Sequence, residues 1–246
     1  MAAISENARF CLVLYTWNFD RSQSKSLFNF VNKYFNSNDL KFSFLGYYDE
    51  TYEDKYIRIE SFNSDAIVWD HLVNFSLDKD DQRKESSTYG VEFNVTRPIH
   101  LTFHYSLDLD FDIVDFANQV SSFFPISFGF KYCTVDGKWP TAYAIGDWAH
   151  VKGVLDIKRL SRKEIERWNA NCEKIQNGFV RDVYGDNIVS DKFLQQGFEG
   201  KTVQDYIQEL GLGIIIPVNS NLFLWKLTSG ELKRARNERV IKQLII

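Results

Sequence analysis

A chain of 246 residues with a formal charge of −4 and a pI near 5.6 is long enough to bury a sizeable core, as one large domain or two small ones. Its mild acidity disfavours a general nucleic-acid or anionic-membrane binder, which would need a clustered positive surface. Aromatics are abundant (21 Phe, 12 Tyr, 6 Trp), and four prolines with one Met speak against a disordered low-complexity tract.

The first apolar run, Phe10–Trp17, is short and contains Cys11 and Tyr15, with no Lys/Arg-rich leader and small-residue cleavage site around it. No stretch approaches the roughly 18 apolar residues of a membrane span. A soluble, cytoplasmic protein without a membrane or nucleic-acid partner is expected. Phe10–Trp17 is predicted as a strand. A polar turn leads from it to an amphipathic helix bearing Leu27, Phe28, Phe30, Val31, Tyr34 and Phe35 at helical spacing. A second strand is predicted at Lys41–Tyr48 and a helix at Ser64–Phe75. The charged stretch Leu77–Thr88 is predicted as a solvated helix end or loop. Within a single domain spanning 1–246, the region 77–98 is the natural place to divide an N-terminal half (1–88) from a C-terminal half (89–246).

The same order recurs from Ile99: a strand, an acidic turn, a helix bearing Ile113, Val114, Phe116, Ala117 and Val120, and a strand at Ile126–Tyr132. FSFLG at 42–46 rhymes with ISFGF at 126–130. Strand–helix–strand is a common order, so duplication and coincidence both account for the rhyme. The pattern implies an α+β fold: mixed or antiparallel sheets covered by helices, two degenerate β-α-β repeats and a C-terminal helix–hairpin–helix region. Ser161 and Glu164 form a capping box for a helix whose Ile165, Trp168 and Cys172 share a face. Further on, Gly185, Asp186 and Asn187 make a turn into a helix-like run that Gly200 breaks. Thr202 caps a second helix that Gly211 ends, and the apolar runs Gly213–Val218 and Leu222–Leu227 form a hairpin. Ser229–Leu244 is predicted as one basic amphipathic helix with a solvated cationic face.

Catalytic apparatus is sparse. His100 and His104 share a strand face but lie roughly 13 Å apart at the strand rise, too far for one metal; His71 and His150 have no local partners. The three cysteines, Cys11, Cys133 and Cys172, form no Cys-x-x-Cys pair, and Cys133 and Cys172 fit buried small hydrophobes better than thiolates. There is no nucleophile elbow and no phosphate-binding Gly-rich loop. The sharpest local feature is Asp108-x-Asp110-x-Asp112, followed by Asp115. It starts like a calcium loop, but Ile113 and Gln119 stand where Gly and Glu are needed. Three readings stay open for it: a capped helix start, a carboxylate site for acid–base or metal-assisted hydrolysis, or a negative docking surface. Asp49, Glu50, Glu53 and Asp54 form a parallel acidic, aromatic-flanked turn.

The C-terminal order of elements, with Arg181, Val183 and Tyr184 at its head and Leu224-Trp225 near its end, resembles the closing half of the bacterial type VI secretion-associated immunity proteins of immunity protein family fifty-two. Gly129-Phe130, then Pro140, Tyr143, Ala144 and Gly146, resemble that family's aromatic strand and Pro-x-x-Tyr-Ala-x-Gly step. Gly185 stands where the family favours Pro, Tyr206 where Trp is usual, and residues 1–98 take no part in the resemblance. Gly129, Pro140, Tyr143, Gly146, Arg181, Val183, Tyr184, Gly200 and Trp225 are structural residues of that pattern, none of them a reactive group. The resemblance implies a non-enzymatic protein, without cofactor or metal, whose partner is a cognate toxin such as a nuclease. In that reading Asp49, Glu50, Glu53, Asp54, Asp108, Asp110 and Asp112 face the toxin's positive cleft. Two alternatives are carried with it: a metal-dependent hydrolase or nuclease built on Asp108, Asp110 and Asp112, and a structural or chaperone-like component of a phage or secretion system.

Overall fold

The computed structural model describes residues 8–50, 54–82, 87–134, 141–145, 154–155 and 161–246. The chain begins with β1 (Arg9–Thr16), α1 (Ser24–Ser37), β2 (Phe44–Asp49), β3 (Asp54–Arg58), β4 (Leu72–Asp78) and β5 (Tyr89–Asn94). Next come β6 (Ile99–Ser106), α2 (Ile113–Val120), β7 (Phe128–Thr134), α3 (Ala142–Ile145), β8 (Val154–Leu155) and α4 (Arg162–Asn171). The remainder comprises β9 (Asp186–Ser190), α5 (Asp191–Leu194), the small hairpin β10 (Gly197–Phe198) and β11 (Lys201–Thr202), and α6 (Val203–Glu209). It closes with β12 (Ile214–Pro217), β13 (Leu222–Lys226), α7 (Ser229–Asn237) and α8 (Arg239–Gln243).

All the long strands join one antiparallel sheet in the order β12-β13-β9-β7-β1-β6-β5-β4-β2-β3, with β8 added beside the end of β7. The connection β1-α1-β2 skips over β6, β5 and β4, and β6-α2-β7 skips over β1, so the two β-α-β connections interleave in a single sheet. In each, the first and last strands run parallel, as a crossover helix requires. β4 and β5, on either side of the charged stretch, are paired neighbours.

Period-two alternation gives the sheet two different faces. Toward α1 and α2 point Leu45, Leu77, Val91, Phe103 and Leu12, and in the next row Tyr47, Phe75, Phe93, Leu101, Leu14 and Ile188. That face is apolar from edge to centre. α1 buries Leu27, Phe28, Val31, Tyr34 and Phe35 against it, and α2 buries Ile113, Phe116, Ala117 and Val120. The opposite face divides. On β1, β7 and β9 it carries Cys11, Val13, Tyr15, Phe128, Phe130, Tyr132 and Val189, packed under α4 and the C-terminal helices. On β4, β5 and β6 it carries Asp78, Ser76, Glu92, Asn94, His100, Thr102 and His104. Helices therefore cover both faces, where the sequence pattern suggested one. Among the described residues no helix is long and apolar enough to cross a membrane.

Three local expectations are corrected. Ser64–Phe75 is not a helix: two short 3₁₀ turns, Ser64–Ala66 and Trp69–His71, precede β4. Leu72, Phe75 and Leu77 are buried while pairing with β2 and β5 replaces helical hydrogen bonds. The run after Gly185 is the strand β9, whose β-branched Ile188 and Val189 face opposite sides of the sheet. The basic C-terminal segment is two helices, broken at the extended Glu238. In an unbroken helix Ile241 would lie about two and a half turns beyond Leu232 and face away from it; the break lets both enter the same core. The expected capping box Ser161–Glu164 is formed, Thr202 caps α6 as expected and shares a capping box with Asp205, and the hairpin is β12–β13.

Gly129 on β7 shows how closely the sheet's centre is built. A Cβ there would stand 2.6 Å from the Val13 carbonyl oxygen and 2.8 Å from Leu14 Cδ2. Gly129→Ala is expected to lower stability by about 1–3 kcal/mol through overpacking, read as a reduced urea midpoint at unchanged slope. An unaltered midpoint would show that β1 and β7 separate freely.

Candidate functional site

Strand register places the two acidic turns at opposite ends of the sheet. Ser106 lies beside Arg9, and Asp78 beside Gly90, so the turn after β6 and the turn after β4 share one end. Asp49 and Glu50 follow the far end of β2, beside Leu72 and His71. Asp49 is buried, Glu50 is ion-paired with Arg21, and Asp54 is exposed at the start of β3. Glu53 lies outside the described residues.

At the other end Asp108, Asp110 and Asp112 are all exposed. Among the described residues none of the three is in an ion pair. Asp112 caps α2, accepting from the Asp115 amide at 3.0 Å. Asp115 accepts from Tyr34 Oη at 2.8 Å and from Gln119 Nε2 at 2.9 Å. A hydrogen bond from Ser106 holds the Asp108 carboxyl below its usual range. Asp80, half-exposed, joins this end and accepts from the Thr88 amide and hydroxyl at 2.8 and 2.7 Å. Asp80 was not among the expected site residues, because its placement follows from the β4–β5 pairing. Among the described residues no group of three or more His, Cys, Asp or Glu side chains is placed to hold a metal.

The motif residues gather elsewhere, on the aromatic half of the second face. Tyr184 stacks on Phe130 with ring centroids 3.8 Å apart, and its hydroxyl lies 3.3 Å from that of Tyr143. Asn187 locks the turn, its Oδ1 accepting from the Tyr184 amide at 2.8 Å while Nδ2 donates to the carbonyls of Tyr184 and Trp225. Trp225 Nε1 donates to the Leu212 carbonyl at 2.7 Å. Val183 is buried, and its carbonyl accepts from Arg236. Arg181 is buried among these rings, 4.7 Å from the Tyr143 centroid and 5.6 Å from that of Trp168. Its Nη1 donates to the Tyr143 and Ala144 carbonyls at 2.7 and 3.1 Å and to Tyr15 Oη at 3.3 Å. Gly129 meets the sheet's other face, and Gly200, at φ +85°, is a turn residue with open space around it. Pro140, Gly146 and His150 lie outside the described residues. Burial pushes the Cys11 thiol and the Tyr15 phenol each up to about 12, so neither ionises near neutrality.

Between these regions a row of polar side chains crosses the sheet in register: Asp78, Gly90, His104 and Cys11. A Cβ at Gly90 would lie 2.4 Å from Asp78 Oδ1 and 2.6 Å from His104 Cε1. Glycine is what lets the carboxyl and the imidazole approach. Asp78 also accepts from Gln82 Nε2. One row on, Glu92 Oε2 accepts from Thr141 Oγ1 at 3.0 Å, and beyond it His100 Nδ1 donates to the Pro98 carbonyl at 2.8 Å. Burial pushes the Asp78 carboxyl up to about 8 and the His104 imidazole down to about 3, and lowers His100 as well. At neutral pH Asp78 is therefore protonated and both histidines are neutral. Asp78 and His100 each keep a hydrogen-bond partner, while Asp78 Oδ2, His100 Nε2 and His104 Nδ1 have none among the described residues, and the uncharged forms lower the cost of burying them.

No protein-family model matches this chain, and no curated protein matches it. Among solved structures it is similar to the Pseudomonas aeruginosa T6SS protein PA0821, with a TM-score of 0.54 and 7% identity, over 97% of this chain and 73% of that one. At that identity the likeness shows a shared fold and nothing finer.

Asp78 ionises near 4 in an unfolded chain and near 8 in the fold. Its contribution is fully present below pH 4 and is lost as pH rises toward 8. Asp78→Asn removes that dependence while leaving the histidines in place. The stability difference is expected to move in the variant's favour by up to about 1.4 kcal/mol per pH unit between pH 4 and 8, measured by urea unfolding across that range. A difference that stays flat with pH would mean the carboxyl titrates alike in both states.

Proposed function

We propose that this chain is an immunity protein that binds a cognate bacterial toxin, such as a nuclease, in the cytoplasm and neutralises it by stoichiometric occlusion, with no turnover of its own. The supporting observation is the acidic end of the sheet. Asp108, Asp110 and Asp112 project from a turn beside Asp80, exposed and without ion-pair partners among the described residues. A basic cleft shaped to receive phosphates is the complementary surface, and unpaired exposed carboxylates accelerate encounter with it without first breaking internal ion pairs. Two further points agree with the reading. Of the motif residues of the immunity resemblance, Tyr143, Val183, Tyr184 and Trp225 share one buried cluster, and Arg181 lies among its rings. The fold is also shared with a type VI secretion protein, which agrees with a secretion-linked role. The acidic turn around Glu50 sits at the opposite end, so one partner docking on the strand ends engages one turn. Asp108 to Asp112 is the better of the two, since Glu50 is already paired and Asp49 is buried.

The hydrolase alternative asks Asp112, with Asp108 and Asp110, to do chemistry while Asp112 caps α2. That duty fits a helix start better than a catalytic carboxylate.

Two experiments test the proposal. Purification of the tagged protein from its native host should recover one near-stoichiometric partner, toxic when expressed alone and harmless with this chain. Absence of such a partner, from cells expressing the neighbouring genes, would sink the immunity reading. With the partner in hand, Asp108→Lys combined with Asp110→Lys should slow association at least tenfold at low salt and flatten its ionic-strength dependence. Glu50→Lys should leave the rate within about twofold. The reverse pattern would move the docking surface to the other end.

A further inference from the structure

Away from the acidic end, the molecule carries a cavity of about 550 Å³ lined by Arg167 of α4, Arg181, Lys233 and Arg236 of α7, and Lys242 of α8. Two carboxylates share the lining, Glu164 and Asp182. Asp182 is matched by Arg236 at 3.0 Å. Glu164 is held in the α4 capping box, accepting from the Ser161 amide at 2.7 Å. Five cations against two carboxylates leave the cavity strongly positive in a protein that is acidic as a whole.

Arg181 decides what that charge is for. Its guanidinium is buried, and every hydrogen bond it makes runs through Nη1. Nε and Nη2, the two nitrogens of the opposite edge, are buried and have no partner. That edge is the one that grips a carboxylate or phosphate with two parallel hydrogen bonds. Leaving it unmade in a desolvated site is costly for a charged donor. The aromatic rings around Arg181 supply cation–π contact in part compensation but accept none of these hydrogen bonds. A monovalent carboxylate would answer the fork and leave two charges of the lining unmatched. A phosphate-bearing ligand answers both, and the volume is that of a small-molecule site.

We propose that the cavity between α4, α7 and α8 binds a phosphate-bearing small molecule, with the buried Arg181 in its lining and Arg167, Lys233 and Lys242 at its rim. The rim cations are exposed and draw the anion in; Arg181 fixes its orientation. This site is independent of the acidic docking end and needs no protein partner.

Calorimetry on the isolated full chain tests it, with pyrophosphate as the minimal probe, ADP as the organic phosphate, and acetate and sodium chloride at matched ionic strength as controls. Saturable one-to-one binding of pyrophosphate is expected, with a rise in unfolding temperature that acetate and chloride do not reproduce. Lys233→Gln with Lys242→Gln, both on the exposed rim, should keep the fold and weaken binding at least tenfold. Arg181→Gln should abolish it; should that variant fail to fold, the rim pair decides alone. ADP binding at least tenfold tighter than pyrophosphate would assign the phosphate to an organic ligand, and equal affinity to free phosphate. Equal responses to all salts, or unchanged affinity in the rim variant, would overturn the site.

Discussion

The architecture hangs on β1. It pairs along its length with β6 on one side and β7 on the other, and each alternate residue is committed to a different core. Leu12 and Leu14 enter the cluster under α1 and α2; Cys11, Val13 and Tyr15 enter the cluster under α4 and the C-terminal helices. A strand buried on both faces cannot shift register by one residue without exchanging these two sets. The strand thus fixes the position of β6, which ends in the acidic turn, and of β7, which carries the aromatic wall around Arg181. Both candidate surfaces take their location from this one pairing.

The second face then shows how the sheet serves two purposes. Its β4–β6 half is lined with Asp78, Glu92, His100, Thr102 and His104, most of them buried, while its β1–β9 half is aromatic. Polar residues could be buried there because the sheet itself satisfies the backbone, and because burial holds Asp78, His100 and His104 in uncharged forms. Two places concentrate charge of one sign. One is the exposed carboxylate turn after β6, and the other is the cavity lined by Arg167, Lys233 and Lys242. Their signs are opposite and their locations separate.

Much of this was legible in the chain. The strand–helix–strand order of both halves, the capping box of α4, the Thr202 cap of α6, the β12–β13 hairpin and the α2 N-terminus follow from period and local chemistry, and all are formed. What was not legible is non-local. The segment Ser64–Phe75 mixes Ile67, Val68, Trp69, Leu72 and Phe75 at spacings that satisfy a helix, and only pairing with β2 and β5 makes part of it a strand. That error hid Asp78, whose neighbours Gly90 and His104 lie 12 and 26 positions on. The C-terminal helix was read as continuous because its cations recur regularly, yet burial of Ile241 requires a break at Glu238.

Arg181 is the instructive case. In the sequence it stands in a segment that resembles a structural motif, and in the structure it is buried among Tyr15, Tyr143, Trp168 and Phe130. A purely structural arginine, however, would be expected to spend its whole guanidinium on carbonyls and carboxylates, since each buried donor left unmade is destabilising. Arg181 uses one nitrogen of three, and the nearest carboxylate in its own segment, Asp182, is taken by Arg236. The aromatic cage explains how its charge is tolerated. It does not explain an unpaired edge on a residue that lines a cavity with Arg167, Lys233 and Lys242, none of them in an ion pair among the described residues, and an anion supplied from solution does.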